Sequence, residues 1–246
     1  MHRFFADERG IEDSLAYLSE EDAAHATRVL RLTVGDEVEL VCASARYLAR
    51  IEVAQGGVRL RALERLRDTE AATRVTLYQG LPKADKMEWI VQKSTELGAY
   101  AIVPVAMERS VVRLEGRDGE KKAERWQKIA REAVKQCART SVPQVSAPRR
   151  LAALEDELRA LDVLIVPWED ARDGSIADCL APFAGERALR VGILVGPEGG
   201  ISAAEAEWLR ERALARLVTL GARILRTETA ALAAQAVVMA LRGEMG

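Results

Sequence analysis

The stretch 191–202, VGILVGPEGGIS, limits what this chain can build more than any other. An unbroken apolar run ends in three glycines, one proline and one carboxylate at five successive positions. A run without a polar face reads as a strand covered on both sides, and such strands belong to the parallel sheet of an α/β domain. The glycines and Pro197 end it in a turn whose backbone can approach a ligand with no Cβ in the way. In open parallel sheets ligands sit at the carboxyl ends of strands, which is where 196–200 falls. A tight strand-to-helix connection without a ligand is the competing reading of this turn taken alone.

Similar runs at 75–79, 101–105, 163–166 and 217–221 read as further strands, alternating with helical patterns. Asp85 is placed to cap a helix over 86–97, with Glu88 as its capping-box partner and Gly98 ending it. A long amphipathic helix over 120–138 sets Ala123, Trp126, Ala130, Ala133, Val134 and Cys137 along one face. Ser202 and Glu205 form a second capping-box pattern before 203–212, and Thr227 or Thr229 can cap an apolar helix over 230–241. The first part differs. Alternating runs at 37–42, 47–53 and 58–63, with turns at Gly35-Asp36 and Gly56-Gly57, predict a small antiparallel sheet or barrel. The polar segment 68–73 carries the boundary near Asp68, dividing the chain into 1–70 and 71–246.

Charge is balanced overall, at a formal −2, but not along the chain. Residues 1–72 hold 10 Arg, no Lys and 14 acids, whereas 80–150 hold 15 basic and 9 acidic residues. A basic band of this kind is a plausible footprint for nucleic acid, although a solvated helix face is the commoner meaning of mixed Lys and Glu. Cys42, Cys137 and Cys179 lie far apart without C-x-x-C spacing, so neither a metal site nor a disulfide framework is expected. His25 lacks a metal-spaced partner, and Trp126 and Cys137 read as packing. No apolar run reaches the roughly 18 residues that span a bilayer, and MHRFFADERG is not a secretory leader; a cytoplasmic protein without a membrane partner is expected.

Three consecutive loops near the C-terminus, at 196–200, 220–221 and 224–229, are positioned to converge. They lack both the G-x-G-x-x-G order and the G-K-[ST] ending of phosphate-cradling loops, so a flat, uncharged group such as adenine suits them better. At these residues the chain resembles the SPOUT methyltransferases. ILVGPEGGIS and LGARILRTETAAL, together with HATRVLRLTVGD, QGLPKADKMEWIVQKSTELGA and RWQKIAREAVKQCARTSVPQV, resemble in particular the family that methylates N3 of a uridine in 16S ribosomal RNA.

The resemblance implies a trefoil-knotted α/β methyltransferase domain over 71–246, preceded over 1–70 by a PUA-like RNA-binding β-barrel. It also implies S-adenosylmethionine as methyl donor, a homodimer, no metal, and the decoding region of the small subunit as target. Carried over by motif position, the donor falls to Leu194, Gly196, Pro197, Glu198, Gly199, Gly200, Leu220, Gly221, Ile224, Leu225, Arg226 and Thr229. Methyl transfer from a sulfonium is chiefly alignment, but uracil N3 must lose a proton to become a good nucleophile. Arg226 is therefore the candidate to stabilise the uracil anion and Glu228 to accept the proton, although a Thr-Glu pair at a helix start is as readily a cap. Candidate RNA contacts are Arg3, Arg28 and Arg31 in the first part and Lys83, Lys86, Lys93, Arg109 and Arg139 beyond it. The rival readings are methylation of a ribose 2′-O or a tRNA base on the same scaffold, and a non-catalytic RNA-binding assembly factor.

Overall fold

A computed structural model describes residues 1–246 except Ser44, Gln55, Gly56, Asp68, Glu115, Arg187, Gly246 and the side chain of Glu8. The turn expected at Gly56-Gly57 and the boundary placed at Asp68 fall in part on Gly56 and Asp68, outside the described residues. Contacts divide the chain into two units, Met1–Glu70 with Val134–Ser141, and Ala71–Ala133 with Val142–Gly246.

The first unit is a closed barrel of β1 (Arg3–Glu12), β2 (Leu15–Leu18), β3 (Glu37–Cys42), β4 (Ala45–Val53) and β5 (Arg59–Leu66). Its order is β1-β2-β5-β4-β3, closed by a parallel β1–β3 pairing while the other ladders run antiparallel. Phe4, Ala16, Leu18, Val38, Leu40, Ala49, Ile51 and Leu60 fill it, the larger of them, Phe, Val, Leu and Ile, contributing roughly 1.5–3 kcal/mol each when fully buried. β1 and β2 do not announce themselves in the sequence. The register of β1 breaks between Ala6 and Ile11, and β2 is only four residues long, so neither shows a sustained alternation. Asp13 and Ser14, both at positive φ, make the tight turn that joins them. Between β2 and β3 lie α1 (Glu20–Ala24) and a π-helical turn, His25–Val29.

The segment 134–141 belongs to this first unit because it delivers a ring of donors to Glu70. Arg139 approaches the Glu70 carboxylate at 2.6 Å, and the backbone N–H groups of Thr140 and Ser141 donate to it at 2.8 and 3.0 Å. Burial alone pushes the Glu70 carboxyl up, but the guanidinium and these N–H groups outweigh it and hold the group below its usual range. A single cut at 70 therefore does not capture the unit.

The second unit is a parallel sheet in the order β12-β10-β11-β6-β7-β8, with β9 also pairing with β7. Its strands are β6 (Arg74–Gly80), β7 (Ala101–Ala106), β8 (Gln144–Val145), β9 (Arg149–Arg150), β10 (Val163–Pro167), β11 (Arg190–Val195) and β12 (Arg216–Val218). Helices α2 (Lys86–Glu96), α3 (Gly116–Cys137), α4 (Glu155–Arg159), α5 (Ile176–Leu180), α6 (Ala203–Arg212) and α7 (Thr227–Leu241) alternate with them. Successive strand residues enter opposite cores: Ile165 and Ile193 pack with Ala231, Ala234 and Val238 of α7, while Leu164 and Leu194 pack with Ala206 and Leu209 of α6. Both faces are covered, as the continuous apolar runs require.

The Ser202–Glu205 capping box opens α6 as the spacing predicts. The box expected at Asp85 and Glu88 does not form. Asp85 has φ −90° and ψ 11°, not the extended backbone that swings a cap side chain over the helix, and Glu88 accepts from Arg125 instead. The long helix places Ala123, Trp126, Ala130, Ala133 and Val134 in the interior, with Cys137 only half-buried.

Replacing Glu70 by Gln removes the carboxylate charge that Arg139 and the N–H groups of Thr140 and Ser141 hold, and should destabilise the protein by about 3 kcal/mol in urea unfolding near pH 7. Because the folded Glu70 carboxyl lies below its unfolded value, its contribution is complete above the ordinary carboxylate range and disappears as pH falls through the folded value. The difference between parent and variant should thus shrink in acid; equal unfolding midpoints at neutral pH would contradict this account.

Candidate active site

Strands β10, β11 and β12 end side by side, and the loops that follow them enclose a cavity of about 950 Å³. Pro167, Trp168, Glu169, Ala171 and Arg172 line it from the first loop, Gly196, Pro197, Glu198, Gly200 and Ile201 from the second, and residues 219–226 from the third. Thr227 and Ala230 at the start of α7 and Val195 at the end of β11 complete the lining.

Hydrogen bonds hold these loops to one another. The Trp168 indole Nε1–H donates to the Ile201 carbonyl at 3.3 Å between two of the loops, and within the third Gly221 N–H donates to Thr219 Oγ1 at 3.1 Å. Thr227, fully within the protein, donates its hydroxyl to the Gly196 carbonyl at 2.6 Å and accepts from Gln79 Nε2 at 2.8 Å. It sits in the first turn of α7, and no side chain caps that helix; the cap expected from Thr227 or Thr229 is absent because the Thr227 hydroxyl is committed to Gly196. Beneath it, a Cβ on Gly80 would lie 2.6 Å from the ring of Pro197, so the end of β6 and the glycine turn can meet only without a side chain there. Gly200 has φ +73°, which an L side chain rarely adopts.

The carboxylate of the glycine turn is held in place. Glu198 accepts from the Lys83 backbone N–H at 3.1 Å and from Lys86 Nζ at 3.0 Å, and Lys86 also contacts Glu228 at 3.1 Å. Burial raises the proton affinity of Glu198, but the Lys86 ammonium and the backbone donors more than offset that and keep it an anion well into acid. With Glu169 it gives the cavity two carboxylates, and Arg172, Arg223 and Arg226 belong to the same lining. Carboxylates, guanidiniums, a bare glycine backbone and the apolar Leu220, Ile224 and Leu225 form a donor set that fits a zwitterionic, partly apolar ligand such as S-adenosylmethionine.

Of the residues assigned to the donor from sequence, Gly196, Pro197, Glu198, Gly200, Leu220, Gly221, Ile224, Leu225 and Arg226 line the cavity. Leu194, Gly199 and Thr229 do not. The Leu194 side chain is spent in the core against α6, Gly199 faces Arg109, whose Cβ lies 2.9 Å from where its own would be, and Thr229 is exposed on α7. The loop after β10 was absent from that assignment, although its place at the carboxyl end of an apolar strand is the signal that marks it. Glu228 lies outside the lining, paired with Lys86, while Arg226 is exposed at it.

The expected RNA contacts separate into two groups. Arg28, Arg31, Lys83 and Arg109 are exposed, Arg109 also donating to the Gly199 carbonyl at 3.0 Å. Arg3 and Arg139 are corrected: Arg3 is bound to the buried Glu39 at 2.5 Å, Arg139 is only 7% exposed on Glu70, and neither side chain presents itself to a phosphate. Lys86 and Lys93 are likewise engaged within the chain, Lys93 by Glu96 at 2.8 Å. Among the described residues no cluster of His, Cys, Asp and Glu has the arrangement of a metal site, and no helix is long and apolar enough to cross a membrane.

Thr227→Val keeps the shape of the side chain but leaves the Gly196 carbonyl without the Thr227 hydroxyl and one N–H of the Gln79 amide, which still donates to the Gly80 carbonyl, unbonded in the interior. It should cost about 1–3 kcal/mol of stability by chemical denaturation; a variant as stable as the parent would show that the hydroxyl does not hold the turn.

Comparison with known proteins places this geometry. The model of an RNA methyltransferase domain matches residues 69–239, and that of an RNA methyltransferase PUA domain matches 18–57. The ribosomal RNA small subunit methyltransferase E of Bacillus subtilis is 36% identical over 94% of this chain and 93% of its own, and that of Aquifex aeolicus 30% identical over 97% and 99%. The crystal structure of the Neisseria gonorrhoeae enzyme of that name bound to S-adenosyl methionine is 31% identical, covers 98% of each chain and superposes with a TM-score of 0.78. The chain belongs to the RNA methyltransferase family, and its fold is that of the SPOUT enzymes, an α/β-knot methyltransferase domain preceded by a small PUA-like barrel.

Proposed function

We propose that this protein transfers the methyl group of S-adenosylmethionine to N3 of a uridine in the decoding region of 16S ribosomal RNA, acting as a cytoplasmic homodimer on the small subunit. The observation that carries this reading is the cavity at the ends of β10, β11 and β12, in a chain of the RNA methyltransferase family. Trp89 on α2 with Val237 and Leu241 on α7 are exposed apolar residues on helices that pack together, which supports a homodimer.

Bound there, the donor supplies an electrophilic methyl on a positively charged sulfur. The main chain of 196–198, Gly200 and 220–225 would hold it, and the anionic Glu198, with Glu169 on the same lining, would favour a cation there. Alignment then supplies most of the acceleration, because a thioether departs without protonation. The remaining task is to take the proton from N3 and stabilise the imide anion. Arg226, exposed on the lining, supplies positive charge for that anion, and Glu228, next but one along the first turn of α7, accepts the proton on exchanging its Lys86 contact for the uracil. Arg28, Arg31, Lys83 and Arg109 contact the RNA backbone.

Incubation of the purified protein with labelled donor and small subunits lacking the modification, followed by nucleotide-level mass spectrometry, should yield N3-methyluridine. A methyl on ribose 2′-O or only on tRNA, or donor binding without transfer, would refute the assignment. In the same assay Glu228→Gln should lower kcat by roughly 10²-fold or more with donor affinity unchanged; undiminished turnover removes Glu228 from the proton step.

A further inference from the structure

We infer that the outward face of α3 is a docking surface for the phosphate backbone of the substrate RNA, an inference that rests on the RNA reading above. Arg117, Lys121, Lys128 and Arg131 follow one another at spacings of four, seven and three residues, which sets them in one row along the helix. At 1.5 Å per residue the row is about 21 Å long. All four are exposed, and the opposite side of the helix, with Ala123, Trp126, Ala130 and Ala133, is buried.

None of these four side chains makes an ion pair or a hydrogen bond among the described residues. Elsewhere in the same unit Lys86, Lys93, Arg125 and Arg190 are all matched to carboxylates. Glu124 stands within the row, between Lys121 and Lys128, and Glu120 beside it, yet neither bridges to the four cations among the described residues. Arg117 and Lys121 stand at i and i+4, where like charges oppose helix formation, a repulsion that Glu120 and Glu124 temper without forming an ion pair. A polyanion relieves it. An extended row of charge along one side of a helix matches a backbone of repeated phosphates better than a single small anion. The row also supplies the phosphate contacts that Arg3, Arg139, Lys86 and Lys93 do not offer.

The test replaces all four residues together, as R117Q/K121Q/K128Q/R131Q, and measures binding to small ribosomal subunits lacking the modification across a salt series. Each lost phosphate contact should flatten the plot of log affinity against log salt by about 0.7–0.9, so the slope should become shallower by roughly 3. The subunit KM should rise while donor affinity, measured by calorimetry, stays at the parent's value. A slope equal to the parent's overturns the inference, as does an affinity loss at unchanged slope, which marks an ordinary protein contact. The control R210Q/R212Q on α6 should keep the parent slope; an equal flattening per charge there would mean that net charge, not this face, is responsible. If the parent itself does not bind subunits, the proposed function falls along with this surface, whereas a parent that methylates beside a quadruple variant of unchanged slope defeats the surface alone.

Discussion

One buried hydroxyl ties together the parts of this protein that must converge for a cavity to exist. Thr227 bonds at once to the Gly196 carbonyl and the Gln79 amide, so that the end of β6, the turn after β11 and the start of α7 meet at one point. There is no slack around it. A Cβ on Gly80 would lie 2.6 Å from the Pro197 ring, and one on Gly196 2.8 Å from Ile201. A tightly packed junction of this kind has few alternative arrangements, and the loops above it inherit its position. Rigid support beneath and bare backbone above are what a site that works by alignment needs.

Much of this architecture is legible in the residues, and the limits are physical. Apolar runs at 75–79, 101–105, 163–166 and 191–195 mark buried parallel strands because strand patterning is local. The cap of α6 is legible for the same reason, since Ser202 and Glu205 act within one turn. What escapes is set by partners distant in the chain. Thr227 looks like a helix cap and serves as a bridge to Gln79, 148 residues away. Arg139 looks like a surface cation and is the counter-charge of Glu70, 69 residues away. β1 escapes because a break in register erases its alternation. The loop after β10 has the right position but no glycine signature, and so the cavity has one more wall than its motifs indicate.

Charge is partitioned in a way that composition conceals. In the barrel, arginines are matched to carboxylates, Arg3 and Arg46 sharing Glu39, Arg59 and Arg61 sharing Glu52, and Arg50 facing Glu37, so that much of the arginine charge is answered within the unit. In the α/β unit Lys86 spans Glu198 and Glu228, so the carboxylate of the glycine turn is oriented by the helix that follows β6. Cations available to a polyanion are therefore fewer than the count of lysines and arginines implies, and where they lie has to be read from their partners.

The account depends on the three loops after β10, β11 and β12 forming one ligand site above the Thr227 junction, and a crystal structure of the protein with S-adenosylmethionine measures this most directly. It should place the donor between residues 167–172, 196–201 and 219–226 with the hydrogen bond from Thr227 to Gly196 intact. Donor density elsewhere on the chain, or those loops drawn apart with the junction broken, would contradict it.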